Sequence, residues 1–374
     1  MDSLARSPKI LGTSWIRIVM INLLIFFVLL TFGELVLRLA WTAKSCLELN
    51  CDFSRITGLK VRRQIDKATD IGFSRFDPVL GHVPREGFSS IINAPGWVNA
   101  KVTITQDGFR SNGSGTFPGS SDALVVGGSF PFGAQVSDSE TWPACLERKL
   151  GRRVDNGGMF GYGASQAIKR ASLKLAEKNY TDLILSIFFG TAFQWDRLSY
   201  RDGFPKPAVI HTKNGLELSA VPDPNAPGTK FNPSSNNLVS LAYEQSEMVA
   251  ATIDRFFPLY NLTGERLTVV HPNAATENEI VDWDLRQFSK FPIKNKLLLF
   301  QYGSPDTTNV AEERKLVLRT ANELSLKVID PITVLRNYKE SDLWFTDHYG
   351  DHNTPLGNEV ICSYLFEHGF QREN

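Results

Sequence analysis

The chain has 374 residues, 42% hydrophobic and 21% charged, which is enough apolar material for a sizeable core and excludes a disordered chain. Forty Lys and Arg balance forty Asp and Glu, and no basic block with interleaved aromatics runs through the sequence. Nucleic acid is therefore not an expected partner.

The first element in chain order is apolar. "IVMINLLIFFVLLTFG" continues into "LVLRLAW", so residues 18–41 are long enough to cross a bilayer, which takes roughly 20 residues. Glu34 and Arg38 interrupt the run four residues apart, on one helical face, where they can pair or reach toward headgroups. No small-residue cleavage site follows promptly, so the segment reads as an uncleaved anchor. Arg6, Lys9 and Arg17 precede it, against Arg38 and Lys44 near its far end, a bias toward a cytoplasmic N-terminus with the bulk of the chain outside. The expected location is the inner (cytoplasmic) membrane, single-pass, with that bulk periplasmic or extracellular.

Four cysteines, at 46, 51, 145 and 362, are too few for a disulfide scaffold and lack paired metal-ligand spacing. Cys46 and Cys51 could bridge in an oxidising compartment or remain free thiols. Cys145 and Cys362 fall on apolar helical patterns and are expected in the core.

The expected organisation is a short N-terminus (1–17), the anchor (18–41), a juxtamembrane connection with a small β element (42–118), and a main domain (119–374). "FDPVLGHVPREG" and "KVTITQDGFRSNG" alternate around turn formers and predict short strands. From Ala123 the rhythm becomes strand then helix: "ALVV", "RVDN", "DLILSIFF", "RLTVVHP", "KLLLFQYG" and "LKVIDPI" alternate with amphipathic runs, which predicts an α/β fold with a mainly parallel sheet. Ligands bind such sheets beyond the carboxyl ends of the strands. Residues 202–237, rich in Pro, Gly, Asn and Ser, are either a lid over the site or a surface excursion.

"VVGGSFPFG" ends a strand in two glycines and Ser129. A serine there presents its hydroxyl where helix N-terminal amides can stabilise an oxyanion; it also makes an ordinary helix cap. "TDHYGDHN" gathers His and Asp side chains, but no distant third ligand motif accompanies it, so no metal and no cofactor is expected.

"VVGGSFPFGAQVSDSETWPACLE" resembles the first block of the SGNH (GDSL-type) hydrolases, here with Gly-Gly-Ser, and "DGFR" resembles a segment of their membrane-anchored bacterial members. "DNGGMFGYGASQ" is similar to the second block and "GDHNTPLGNEVI" to the last. The resemblance spans residues 76–370 and implies a three-layer, flavodoxin-like fold with a mainly parallel sheet, preceded by the anchor helix. It further implies Ser129 as nucleophile, His352 as general base, and the amides of Ser129 and Gly158 in the oxyanion hole. The third block departs from the family: "FFGTAFQWDR" has Thr191 and Ala192 where an Asn-Asp pair stands, leaving the Thr191 hydroxyl as the replacement donor. The orienting acid is either Asp347 or Asp351.

The expected function is a membrane-anchored, extracytoplasmic serine esterase or acyl transferase acting on an acyl ester of a cell-envelope glycan or lipid. The alternative is a catalytically degenerate domain of the same fold that binds a glycan or a membrane partner.

Overall fold

The computed structural model of the chain describes residues 12–47, 73–94, 97–113, 122–201, 204–223, 246, 248–249, 252, 268–345 and 352–370. They belong to two compact units, Met1–Ile65 with Phe231–Thr263, and Asp66–Lys230 with Gly264–Asn374.

The first unit is built on α1 (Gly12–Leu47). Within it Arg17–Ala40, 24 residues of mean hydropathy 2.4, is long and apolar enough to cross a membrane. Two charges within this stretch are matched to each other: Arg38 Nε donates to Glu34 Oε1 at 2.9 Å, the i,i+4 pairing that the spacing predicts. The other oxygen of Glu34 accepts from Ser246 Oγ at 2.9 Å and from the Met248 amide at 3.1 Å. A carboxylate on an apolar helix is thus satisfied by one cation and two hydrogen bonds. Cys51, and with it the Cys46–Cys51 question, lies outside the described residues.

The second unit opens with two antiparallel hairpins, Ser74–Asp77 with Gly81–Pro84 and Ser89–Ala94 with Trp97–Thr103. Their buried side chains, among them Leu80, Trp97, Val102 and Ile104, form one apolar cluster with Phe132, Met159 and Tyr162. The small β element therefore packs on the segments that follow the first two strands of the main sheet.

That sheet comprises β1 (Ala123–Gly127), β2 (Val154–Gly158), β3 (Asp182–Phe188), β4 (Asn295–Gln301) and β5 (Lys327–Ile329). All its pairings are parallel and the order is 2-1-3-4-5. Strands covered on both faces need continuous apolar runs rather than alternation, which "ALVV" and "LLLF" supply. Between the strands run α2 (Ser129–Phe132) and α3 (Trp142–Leu150), then α4 (Ala164–Glu177), α5 (Glu277–Ser289) and α6 (Ala311–Glu323), with α7 (Pro355–Gly369) closing the chain. The step from β1 to β2 runs opposite to every later step across the sheet. Right-handed crossovers therefore put α3 on one face and α4, α5 and α6 on the other. Contacts agree: α3 packs on α7, α4 on α5, and α5 on α6. This is the flavodoxin-like, three-layer arrangement that the resemblance to SGNH hydrolases implies, with its topological switch between β1 and β3.

Two expectations change. Among the described residues of "RLTVVHP", Val269–Val270 pairs antiparallel with Leu198–Arg201 in a separate three-stranded sheet and ends before Pro272, which has no N–H for a ladder. Cys145 and Cys362 are buried, as their helical patterns predict, but they are also bonded to each other, joining α3 to α7 across 217 residues of sequence. Apolar periodicity places two cysteines in a core and is silent about which helices meet.

Of the 202–237 excursion, Phe204–Pro205 pairs with Leu198–Arg201, and Val209–Thr212 forms a hairpin with Gly215–Leu218. Residues 202–203 and 224–237 lie outside the described residues. The hairpin region is tied in by Lys206, wholly buried, whose Nζ donates to the Trp195 carbonyl at 2.5 Å and lies 3.5 Å from Asp196 Oδ1.

Replacing both Cys145 and Cys362 by alanine is expected to lower unfolding stability by about 2–5 kcal/mol, since the bond closes a long loop in the unfolded chain. Denaturant titration of the detergent-solubilised protein checks this, and reductant should lower the stability of the wild type by more than that of the double variant. In the same assay Arg110→Met should cost about 3–5 kcal/mol, because it strands the buried Asp138 carboxylate that the guanidinium now contacts at 2.9 Å.

Candidate active site

β1 ends in Gly127, whose φ of 157° and tight surroundings exclude a side chain: a Cβ there would lie 2.7 Å from the Ser186 carbonyl oxygen on β3 and 2.8 Å from Pro131 Cγ. The chain can then turn within one residue and start α2 at Ser129. α2 ends after one turn at Gly133, in the left-handed region at φ 81°. The next residues are clamped from outside. The buried Arg110 donates through Nε to Asp138 Oδ1 at 2.9 Å and through Nη2 to the carbonyls of Val136 at 2.9 Å and Lys101 at 3.1 Å. Asn156, also buried, donates to the Pro131 carbonyl at 2.6 Å.

His352 arrives from the other end of the chain. The Phe345 amide donates to its carbonyl at 2.9 Å, and the Thr354 amide donates to the Leu343 carbonyl at 2.9 Å. Buried Trp344 is fixed in turn by a 2.6 Å bond from Nε1 to the Tyr302 carbonyl. Thr354 then caps α7, its Oγ1 accepting from the Gly357 amide at 3.1 Å, with Pro355 at the first helical position.

These two constructions bring Ser129 Oγ to 2.7 Å from His352 Nε2, across 223 residues. Ser129 is buried, with only 8% of its surface exposed. The imidazole is flanked by Phe130, with ring centroids 5.2 Å apart, and by Phe160 at 6.2 Å, and Phe130 stacks on Phe188 at 4.5 Å. Nδ1 faces Gln135 Oε1 at 3.1 Å. An imidazole that donates from Nδ1 carries its lone pair on Nε2, where it can accept the serine proton.

The remaining expected residues fall out differently. Asp347, Asp351 and the neighbouring His348 lie outside the described residues. The Gly158 amide, expected in the oxyanion hole, donates to Asn156 Oδ1 at 3.1 Å. Asn156 ties the end of β2 to α2 through its side-chain nitrogen, and its side-chain oxygen accepts from Gly158. Thr191 lies just beyond β3, its Oγ1 buried and without a hydrogen-bond partner among the described residues.

Three side chains beside the site escaped the sequence reading. Gln135 carries no motif of its own. Asp196, fully buried, accepts from the Ser165 amide at 2.8 Å and so joins the loop after β3 to the start of α4. Burial raises its carboxyl pKa and lowers that of the Lys206 ammonium, to about 8, while their mutual attraction opposes both shifts. Nearby Asp284 accepts from Ser165 Oγ at 2.7 Å, and burial, then Asp196, raise it well above the usual carboxylate range. The third is Glu313 on α6, whose Oε2 accepts from the Gly190 amide at 2.7 Å, next to Thr191.

No protein-family model matches the chain, and no curated protein matches it. Solved structures do. A member of the lipolytic protein G-D-S-L family from Veillonella parvula matches at 12% identity and TM-score 0.37, covering 66% of this chain and 96% of its own. A lipase/acylhydrolase from Enterococcus faecalis matches at 13% identity and TM-score 0.38, covering 66% and 94%. A catalytic variant of an acetylxylan esterase from Geobacillus stearothermophilus matches at 12% identity and TM-score 0.36, covering 69% and 98%. Likeness at this level carries no argument about activity or substrate; the geometry of this chain's own residues does.

Glu313 gives the site region a pH signature. Burial, opposed by the bond from Gly190, raises its carboxyl to about 7 from an ordinary 4.5. Between those values the folded chain holds a proton that the unfolded chain releases, so stability falls as pH rises from about 4.5 to about 7 and stays lower above. Glu313→Gln keeps an acceptor for Gly190 and removes the titration. Melting temperatures measured from pH 5 to 8 should decline less in the variant, and it should be the more stable of the two at pH 8.

Proposed function

We propose that the protein is a membrane-anchored serine esterase or acyl transferase that acts outside the cytoplasm on an acyl ester of a cell-envelope glycan or lipid. The observation that carries this reading is the 2.7 Å contact between Ser129 Oγ and His352 Nε2 at the topological switch of a doubly wound sheet. In the first step Ser129 Oγ attacks the acyl carbon while its proton passes to His352 Nε2. The tetrahedral intermediate collapses as His352 returns that proton to the departing alcohol oxygen, leaving an acyl-serine. Water or a sugar hydroxyl then attacks the acyl carbon, giving up its proton to His352, and as the bond from the acyl carbon to Ser129 Oγ breaks, His352 passes that proton to Ser129 Oγ.

The developing oxyanion needs donors. The Ser129 amide opens a helix and has no partner within it by position, and the Thr191 hydroxyl has none among the described residues. Asp347 or Asp351 would stabilise the imidazolium. The anchor rests on α1, and the extracytoplasmic side on the charge bias around it and on the Cys145–Cys362 bond, because structural disulfides persist in oxidising compartments.

The test treats the detergent-solubilised full chain with an alkyl fluorophosphonate and reads intact mass. One adduct per chain is expected, none in Ser129→Ala, and Thr191→Ala should turn over an activated ester about 10²- to 10³-fold more slowly. A folded wild-type chain that takes no adduct would sink the esterase reading in favour of a degenerate, binding domain.

A further inference from the structure

We propose that Gln135 is a positioning residue for His352, selecting the imidazole tautomer through its side-chain oxygen; this deepens the serine–histidine reading above and rests on it. Three observations converge. Gln135 Oε1 lies 3.1 Å from Nδ1 while Ser129 Oγ lies 2.7 Å from Nε2, so both ring nitrogens of one histidine are held by residues six apart, one opening α2 and one just beyond its end. Gln135 is 5% exposed, so its amide sits away from bulk water, where an unmatched hydrogen bond is costly. Its backbone stands at φ 70°, a left-handed conformation that a side chain with a Cβ adopts at a cost.

The surroundings enforce that conformation. Gly133 ends α2 two residues earlier, and Arg110 holds the Val136 carbonyl one residue later, at 2.9 Å. With both neighbours fixed, the backbone at Gln135 is left to turn the side chain under His352. Strain kept at one residue of a site is the pattern expected where the side chain's placement matters.

The chemistry assigns the atoms. A general base that takes the Ser129 proton on Nε2 must carry its own proton on Nδ1, and the amide of Gln135 can accept from that N–H through its oxygen but not through its nitrogen. The amide is neutral. It fixes which nitrogen is basic and adds no charge to steady the imidazolium, a task left to a carboxylate.

Two substitutions separate this role from packing. Gln135→Gly removes the acceptor and suits φ 70°, so the turn keeps its fold; Gln135→Glu keeps an oxygen in place. The full chain, labelled with ring-15N histidine in detergent and assigned with His352→Gln, reports the tautomer directly by NMR. The wild type should show protonated Nδ1 and unprotonated Nε2, Gln135→Gly should shift toward the opposite tautomer, and Gln135→Glu should restore the wild-type pattern. Fluorophosphonate labelling should slow about 10-fold in Gln135→Gly and recover in Gln135→Glu. Wild-type ring signals in a folded Gln135→Gly would overturn the proposal. The ring signals answer for Gln135 even if Ser129 fails to react, whereas that failure would bear on the esterase reading.

Discussion

The buried guanidinium of Arg110 is the constraint on which the site depends. It arrives on the segment that follows the second hairpin and ends inside the turn that carries Ser129, bonded to Asp138 and to the carbonyls of Val136 and Lys101. Its plane lies over the Phe132 ring, 4.9 Å from the centroid. Carrying a charge out of water is expensive unless every donor finds a partner, and here the partners are backbone carbonyls that would otherwise be free to reorganise. The hairpins thus supply, through one side chain, the fixed geometry of a loop they do not themselves contain.

A second closure works at longer range. Ser129 and His352 belong to opposite ends of the domain, and an offset of an ångström between them would break the proton path. The bond between Cys145 and Cys362 joins the helix after Ser129 to the helix after His352, while the Thr354 cap and the Trp344–Asn353 bridge set where the second helix begins. Core packing, a cap and a covalent link therefore act on the same distance.

Charge is used sparingly on the other side of the site. Asp196, Lys206, Asp284 and Ser165 form a buried polar knot that ties the loop after β3, the hairpin excursion, α4 and α5 to one another. The knot leaves Thr191 between this network and the bond from Gly190 to Glu313, so the residue that departs most from the family pattern sits in a firmly held loop.

The sequence alone determined whatever depends on local pattern. The apolar run of α1, the parallel strands with their continuous hydrophobic runs, the Glu34–Arg38 pair and the serine at a strand's end all follow from periodicity, length and spacing over a few residues. The motifs also named Ser129 and His352, but not their distance. Only the tertiary structure decided which cysteines bond, that the Gly158 amide donates to Asn156, that "RLTVVHP" leaves the main sheet, and that a glutamine meets Nδ1 of His352. Each of these is a contact between segments far apart in the chain or the choice of a partner for a single N–H. Neither leaves a period in the sequence, because the partner is chosen by how the layers close rather than by its neighbours.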